Sequence, residues 1–495
     1  MFASTFLILW AVTVFMLDFR FTVPGMDDWC YFAPAAAAEH PLAIKTPLVG
    51  DFLGGDHAWC LHWPGAPLIE SMLLPFLQWL SISAARIATM ILFQAIAAIL
   101  TYRLARHYTG SDWIGIAAAL LILVDRIFLT NAALGRCEPL TSIALLVLLL
   151  QFKGREMRAQ SACSRSIAAV CIFLLPVLHP MTVVVGAAVS VYIAVKGRIR
   201  GANWVTSMTL PLAYFGGVTC LASWFFFQPE AWPQFRDHAA AGHNLMRLGG
   251  GLVPYFFGET PFLRYTPIFL YGPAIYFSAA ILLAFRAGKR KELQMSGESA
   301  DWPLLVVVLS SALIASLVFP NVVYLALVLP IATVLAAGGL MRAMKKVALP
   351  IEPAVCWMLF ILAGYHGLTL VTRLQKFIGA GYPNLRAEIH QIFSNLPDAQ
   401  TILVPDILWE EAIRKAGHYY LATLSQNSSR AMRAAYEDHA FTQVQTGDLL
   451  ITNRMNYNSI LTPVDPKSWE EIAHYKHIFR QHTEWGYEIK IYRRH

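Results

Sequence analysis

Two neighbouring carboxylates, Asp27 and Asp28, stand in the stretch MDDWCYFAPAAAAEH, directly after an apolar N-terminal segment. A second charged pair, Arg136 and Glu138, opens RCEPLTSIALLVLLL, a run with almost no other charge. His179 lies in LLPVLHPM, between two further apolar runs. Carboxylates so placed can accept a proton or hold a cation, and a guanidinium can grip a phosphate in a bidentate contact. Each group also has a plainer role. Asp27 and Asp28 can end a membrane span, and Glu138 can start a helix at the positive end of its dipole with Arg136 as its ion-pair partner. Three more candidates follow from position. Glu70 lies in LHWPGAPLIESMLLP, a proline- and aromatic-marked stretch suited to the outer surface. Arg247 and Arg264 lie in an aromatic, basic loop suited to lipid headgroups.

The elements that must position these groups are set by composition. Of 495 residues, 57% are hydrophobic and only 14% charged, where a soluble chain carries about a quarter charged residues. Long apolar runs alternate with short basic clusters, as at 103–106, 153–158, 196–200, 286–291 and 342–346. That is the pattern of a polytopic α-helical membrane protein with its basic connections inside, and it places the net charge of +7 at the membrane rather than on nucleic acid. The apolar segments are 2–21, 68–102, 112–130, 135–152, 165–179, 180–195, 204–227, 266–285, 302–318, 320–340 and 350–371. They count to about eleven transmembrane helices. With the N-terminus cytoplasmic and 2–21 retained as the first span, loops 22–67 and 228–265 and the tail fall outside. Asp28, Glu138 and His179 then share the outer face. Segment 68–102 is too long for one ordinary span, and reads as a tilted helix or a surface helix running into a membrane helix. Pro176 and Pro180 predict a break near His179.

Residues 1–371 thus form a membrane domain, and 378–495 an extramembrane mixed α/β domain. In the latter AQTILVPD, HYYLATL, DLLITNR and GYEIKIYRRH read as strands, and EEAIRKAG and SWEEIAHYKHIF as surface helices. It holds no zinc-ligand spacing, P-loop or dinucleotide fingerprint, so no nucleotide cofactor is expected, and its histidines read as surface residues. Cys30 and Cys60 share an external loop and are placed to form a disulfide in an oxidising compartment. Cys163, Cys171, Cys220 and Cys356 read as small apolar residues in or near spans.

The order MDDWCYFAPAAAAEH, HWPGAPLIESMLLP, ALGRCEPLTSIALL, LLPVLHPM resembles the integral-membrane glycosyltransferases of the C-type fold, in the broad protein mannosyltransferase and aminoarabinose transferase superfamily. The resemblance covers roughly residues 1–370 and rests on short motifs in a matching order. It implies transfer of a sugar from a polyprenyl-phosphate donor to a lipid, glycan or protein hydroxyl at the outer face, in a bacterial inner membrane with the C-terminal domain periplasmic. The family's first-loop acidic pair falls on Asp27 and Asp28, with Tyr31 following, and its later acidic position on Glu138. Asp28 is then the first choice of base, ahead of Asp27. Arg136, Arg247 and Arg264 are the donors for a leaving phosphate, with His179, Glu70 and Tyr31 beside them. A divalent metal ion (Mg, Mn or Zn) would take Asp28 and Glu138 as ligands. WPGAP stands where the aminoarabinose transferases carry lysine-proline-proline, so a lipid A acceptor does not carry over. The competing classes are a multi-pass transporter, which would show charges or broken helices near mid-membrane, and a non-catalytic prenyl-lipid-binding protein.

Overall fold

The computed structural model describes residues 7, 9–15, 32, 35–36, 64–125, 128–129, 136–151, 161–199, 204–227, 307, 326–344, 351–379, 385–405, 408, 410–411, 418–421, 438–455, 467–477 and 487–495. Helix α1, Gly65–Leu73, runs through a 3₁₀ turn, Leu74–Leu77, into α2, Ile82–Thr109. The over-long apolar run is therefore two helices. They are separated at Ser81, whose side chain caps α2 by accepting from Ala84 N–H. Gly110, at φ 73°, closes α2 in the left-handed conformation, its N–H donating to Arg106 O. The 28 residues of α2 span about 42 Å, enough to cross a bilayer with its headgroups.

The remaining helices are α3 Asp112–Val124, α4 Glu138–Gln151, α5 Ala162–Leu178, α6 Pro180–Ile199, α7 Trp204–Phe227, α8 Leu329–Met344 and α9 Ile351–Gly379. The closest packing is of α2 on α3 and α4, α3 on α9, α7 on α5 and α6, and α5 on α4. Helices α5 and α7 approach so closely that a Cβ on Gly217 would run into the Phe173 carbonyl and the Pro176 ring. The C-terminal end of α2 and the N-terminal ends of α3 and α9 are stitched by polar groups. Arg106 and Tyr102 reach Asp112 at 2.8 Å each, and Ser111 is hydrogen-bonded to Glu352.

The expectation of about eleven spans is not met in number. Among the described residues three helices are long and apolar enough to cross a membrane, Ala84–Thr109, Ser207–Phe226 and Glu352–Thr372. Six apolar helical stretches among the described residues are shorter, and two of them end at a polar residue or before a proline. Helix α3 stops at Asp125 after 13 residues, about 20 Å, and α5 stops at His179 before Pro180. Segment 266–285, all of 302–318 but Val307, and most of 2–21 lie outside the described residues.

The tail begins with α10, Leu385–Ser394, and continues into a five-stranded mixed sheet in the order β2-β1-β3-β5-β4. Its strands are β1 Thr401–Val404, β2 His418–Leu421, β3 Leu449–Met455, β4 Trp469–His477 and β5 Tyr487–Arg494. Strand β1 runs parallel to β2 and β3, while β5 is antiparallel to β3 and β4. Ile402, Leu403, Leu450, Ile489 and Ile491 pack with Ile389, Ile392 and Phe393 of α10 in one core. The buried Asp448 carboxylate accepts the N–H groups of Gln400, Thr401 and Gln445 and so pins β1 to the turn before β3. The SWEEIAHYKHIF stretch is a strand and not the helix expected. A bulge between Glu471 and Ala473 breaks the two-residue alternation, and the charges that suggested a helix face pair across strands instead, Lys490 with Glu471 and His474 with Glu488. Of EEAIRKAG, only Glu410 and Glu411 lie within the described residues, and both are helical.

The two parts of the chain meet through a buried charge pair. Arg86 Nε, on the first turns of α2, donates to Glu410 Oε1 at 3.3 Å, with the side chains 1% and 3% exposed. Removing one partner takes this ion pair away from a charge that stays buried. Arg86→Met is expected to destabilise the protein by about 3 kcal/mol, read as a lowered thermal midpoint in detergent, and Arg86→Met/Glu410→Met together to recover most of that loss.

Candidate functional site

Glu138 is the first residue of α4 and is fully buried. The positive end of the helix dipole and a neighbouring guanidinium both favour its carboxylate. Arg136 Nε lies 3.0 Å from Oε1 and 3.2 Å from Oε2, and its Nη2 lies 2.7 Å from Oε1. The guanidinium thus grips both carboxylate oxygens from two residues upstream. One turn below, Ser142 Oγ reaches the carbonyls of Ala326 and Leu327 at 3.1 and 2.9 Å, tying α4 to the start of α8.

The third member arrives from the α5–α6 junction. His179 must be extended because Pro180 follows it, and it is, at φ −154° and ψ 137°. Pro180 itself opens α6, where its missing N–H costs no helical bond. Thr182 holds the junction: its N–H and hydroxyl reach His179 O at 3.0 and 2.6 Å, and the hydroxyl also bonds Leu175 O. So fixed, His179 is fully buried and its Nε2 lies 3.5 Å from Glu138 Oε1.

Cys137, 2% exposed, completes the group. One ligand atom each from Cys137, Glu138 and His179 lies within 4.8 Å of the others. A sulfur, an oxygen and an imidazole nitrogen at that spacing suit a borderline dication such as zinc. The guanidinium does not exhaust the carboxylate, which offers about four lone-pair sites.

The structure brings Arg136, Glu138 and His179 together. Glu70 is buried, at 1% exposure, on a helix packed against α5. Asp27, Asp28, Tyr31, Arg247 and Arg264 lie outside the described residues, as do Cys30 and Cys60. Sequence reasoning passed over Cys137, although it stands between the two charged residues it did mark. It also passed over Asp125, the acidic residue closing the apolar run of α3, and His366. Asp125 Oδ2 lies 3.4 Å from His366 Nδ1 on α9, and both side chains are nearly buried.

No protein-family model matches the chain, and no curated protein matches its sequence. Solved structures do match. ArnT from Cupriavidus metallidurans bound to undecaprenyl phosphate aligns over 99% of this chain and 97% of its own, with a TM-score of 0.58 at 12% identity. The fold is that of the C-type membrane glycosyltransferases. Weaker likenesses are to the same ArnT in its apo state, TM-score 0.46 at 13% identity over 99% and 97% of the two chains. The Archaeoglobus fulgidus oligosaccharyltransferase complex with zinc and sulfate aligns at TM-score 0.48 and 13% identity, over 90% of this chain and 67% of that one.

Thr182 ties the α5–α6 junction through Leu175 O and His179 O. Thr182→Val, which keeps the shape and removes the hydroxyl, is expected to cost about 1 kcal/mol. The lowered unfolding midpoint should be restored by Thr182→Ser.

Proposed function

We propose that the chain transfers a sugar from a polyprenyl-phosphate donor to a lipid, glycan or protein hydroxyl at the outer face of a bacterial inner membrane, with the N-terminus cytoplasmic and residues 378–495 periplasmic. The observation that carries this is the buried Arg136–Glu138–His179 group at the ends of three helices, in a C-type glycosyltransferase fold. An ion pair kept out of water in a membrane fold is costly unless it has work to do or is fully compensated.

The step is a displacement at the anomeric carbon. Asp28 takes the proton of the acceptor hydroxyl, with Asp27 beside it orienting that hydroxyl. The acceptor oxygen bonds to the anomeric carbon as the bond from that carbon to the phosphate oxygen breaks. The electron pair leaves on the polyprenyl phosphate, which gains one negative charge. Arg136, Arg247 and Arg264 are the guanidinium groups assigned to that charge, and His179, Glu70 and Tyr31 line the approach of donor and acceptor.

A divalent cation belongs to this reading. Cys137, Glu138 and His179 would hold it with a carboxylate of the first loop, Asp28 in the simplest arrangement, and it would supply Lewis-acid stabilisation of the leaving phosphate. Charge balance is consistent with it. Arg136 and Glu138 alone are neutral together, and a dication with the Cys137 thiolate and the Asp28 carboxylate keeps the group neutral.

One observation favours a second reading, transport. Helix α3 breaks at Asp125, about 20 Å along, and its carboxylate meets His366 there, as the broken helices and buried charges of transporters do. Proton-coupled flux abolished by Asp125→Asn, with no sugar transfer, is the result that would favour it.

The deciding experiment follows label from pooled polyprenyl-phosphate sugars to acceptors in membranes carrying wild type, Asp28→Asn or Glu138→Gln. Transfer by wild type and a fall of about a hundredfold or more in Asp28→Asn are expected. Wild type that is folded yet inert across donors, acceptors and cations would sink the proposal. Cobalt(II) added to metal-stripped protein is expected to give a thiolate-to-metal absorption band that Cys137→Ser removes.

A further inference from the structure

The N-terminus of α1 is wedged against the last turn of α5, immediately before His179. Pro64, Gly65, Ala66 and Pro67 are all buried, whereas the far end of α1 and the turn after it expose Met72, Phe76 and Trp79. At Gly65 there is no room for a side chain. A Cβ there would lie 2.6 Å from Val177 O, 2.9 Å from Val177 C and 3.1 Å from Leu178 N. All three atoms are backbone, so no side chain can swing aside to make space. Gly65 is helical, and its lack of a Cβ serves close approach rather than an unusual backbone. The contact also sets the positive end of α1 against the carbonyl end of α5, where opposite dipole ends attract.

Leu178 leads directly into His179, whose backbone is locked by Pro180 and by the Thr182 bonds. Residues 177–178 therefore cannot shift without carrying His179, and its Nε2 sits only 3.5 Å from Glu138 Oε1. We propose that Gly65 is a positioning residue: the seat of α1 on Val177–Leu178 holds His179 against Glu138. The external segment before α2 and the buried cluster are then set as one unit, and Glu70, buried on the same helix, is held by the same seat. The consequence for sugar transfer rests on the function proposed above; the placement does not.

N-ethylmaleimide labelling of the full-length protein in membranes, mapped peptide by peptide, reads the seat without any substrate. Cys137 lies beside Glu138, and Cys171 is buried about two turns back in α5. In Gly65→Ala, labelling of Cys137 is expected to rise about tenfold while Cys171 stays protected, and Met72→Ala, on the exposed side of α1, should change neither. Pro67→Gly loosens the seat without adding an atom and is expected to give the same Cys137-specific rise, even if Gly65→Ala fails to accumulate. Cys137 remaining protected in Pro67→Gly and in any Gly65→Ala that accumulates would overturn the proposal. So would Cys137 and Cys171 becoming labelled together, since α1 would then brace the whole bundle and not His179. A wild type that transfers no sugar would defeat the proposed function and leave the labelling result standing.

Discussion

A carboxylate fully removed from water in a membrane fold is the constraint on which the junction of α4, α5 and α6 depends. Unpaired, Glu138 would carry a desolvation cost of several kcal/mol, comparable with the whole stability of a typical domain. Its surroundings answer that cost in three ways. The helix that begins at Glu138 offers its dipole, Arg136 offers a two-oxygen grip, and His179 is brought within 3.5 Å from a different helix pair. Each answer demands a local device: a charged pair two residues apart, a pre-proline histidine and a threonine that ties both sides of the break.

The same logic explains why polarity collects at helix ends throughout the membrane part. Backbone carbonyls left open at the end of α3 are met by Trp10 Nε1 on Leu123 O at 2.8 Å and by Gln94 Nε2 on the same oxygen at 3.2 Å. In hydrocarbon no water can do this, so side chains from other segments must. Asp125 adds its own cap, accepting from Phe128 N–H at 3.0 Å. The short α3 thus ends where its open carbonyls are satisfied. The C-terminal α/β unit is tied in by the same means, a buried pair between Arg86 and Glu410.

Much of this was legible in the residues. Apolar runs and basic connections marked a helical membrane fold, and prolines at 176 and 180 marked the junction that presents His179. Four of the five strands in the tail were visible from their β-branched and aromatic content. The fifth was not, because the bulge at Glu471/Ala473 hides its alternation. Among the described residues fewer helices are long enough to span a bilayer than hydropathy suggested, since hydropathy registers apolar composition and not the point at which α3 stops at Asp125. Cys137 was overlooked for a related reason: a cysteine in an apolar setting looks like packing until the histidine that faces it is known.

What the sequence determined by itself was the inventory: the acidic pair of the first loop, the Arg136–Glu138 doublet, the proline-flanked histidine and the change from membrane to α/β composition. These are written within a few residues of one another, where turn chemistry, capping and periodicity act. What only the tertiary structure decided was which of them meet. Glu138 with His179, Asp125 with His366, Arg86 with Glu410 and Gly65 with Val177 are separated along the chain by tens to hundreds of residues. Their pairing follows from how helices pack and how buried charge must be compensated, neither of which local sequence encodes.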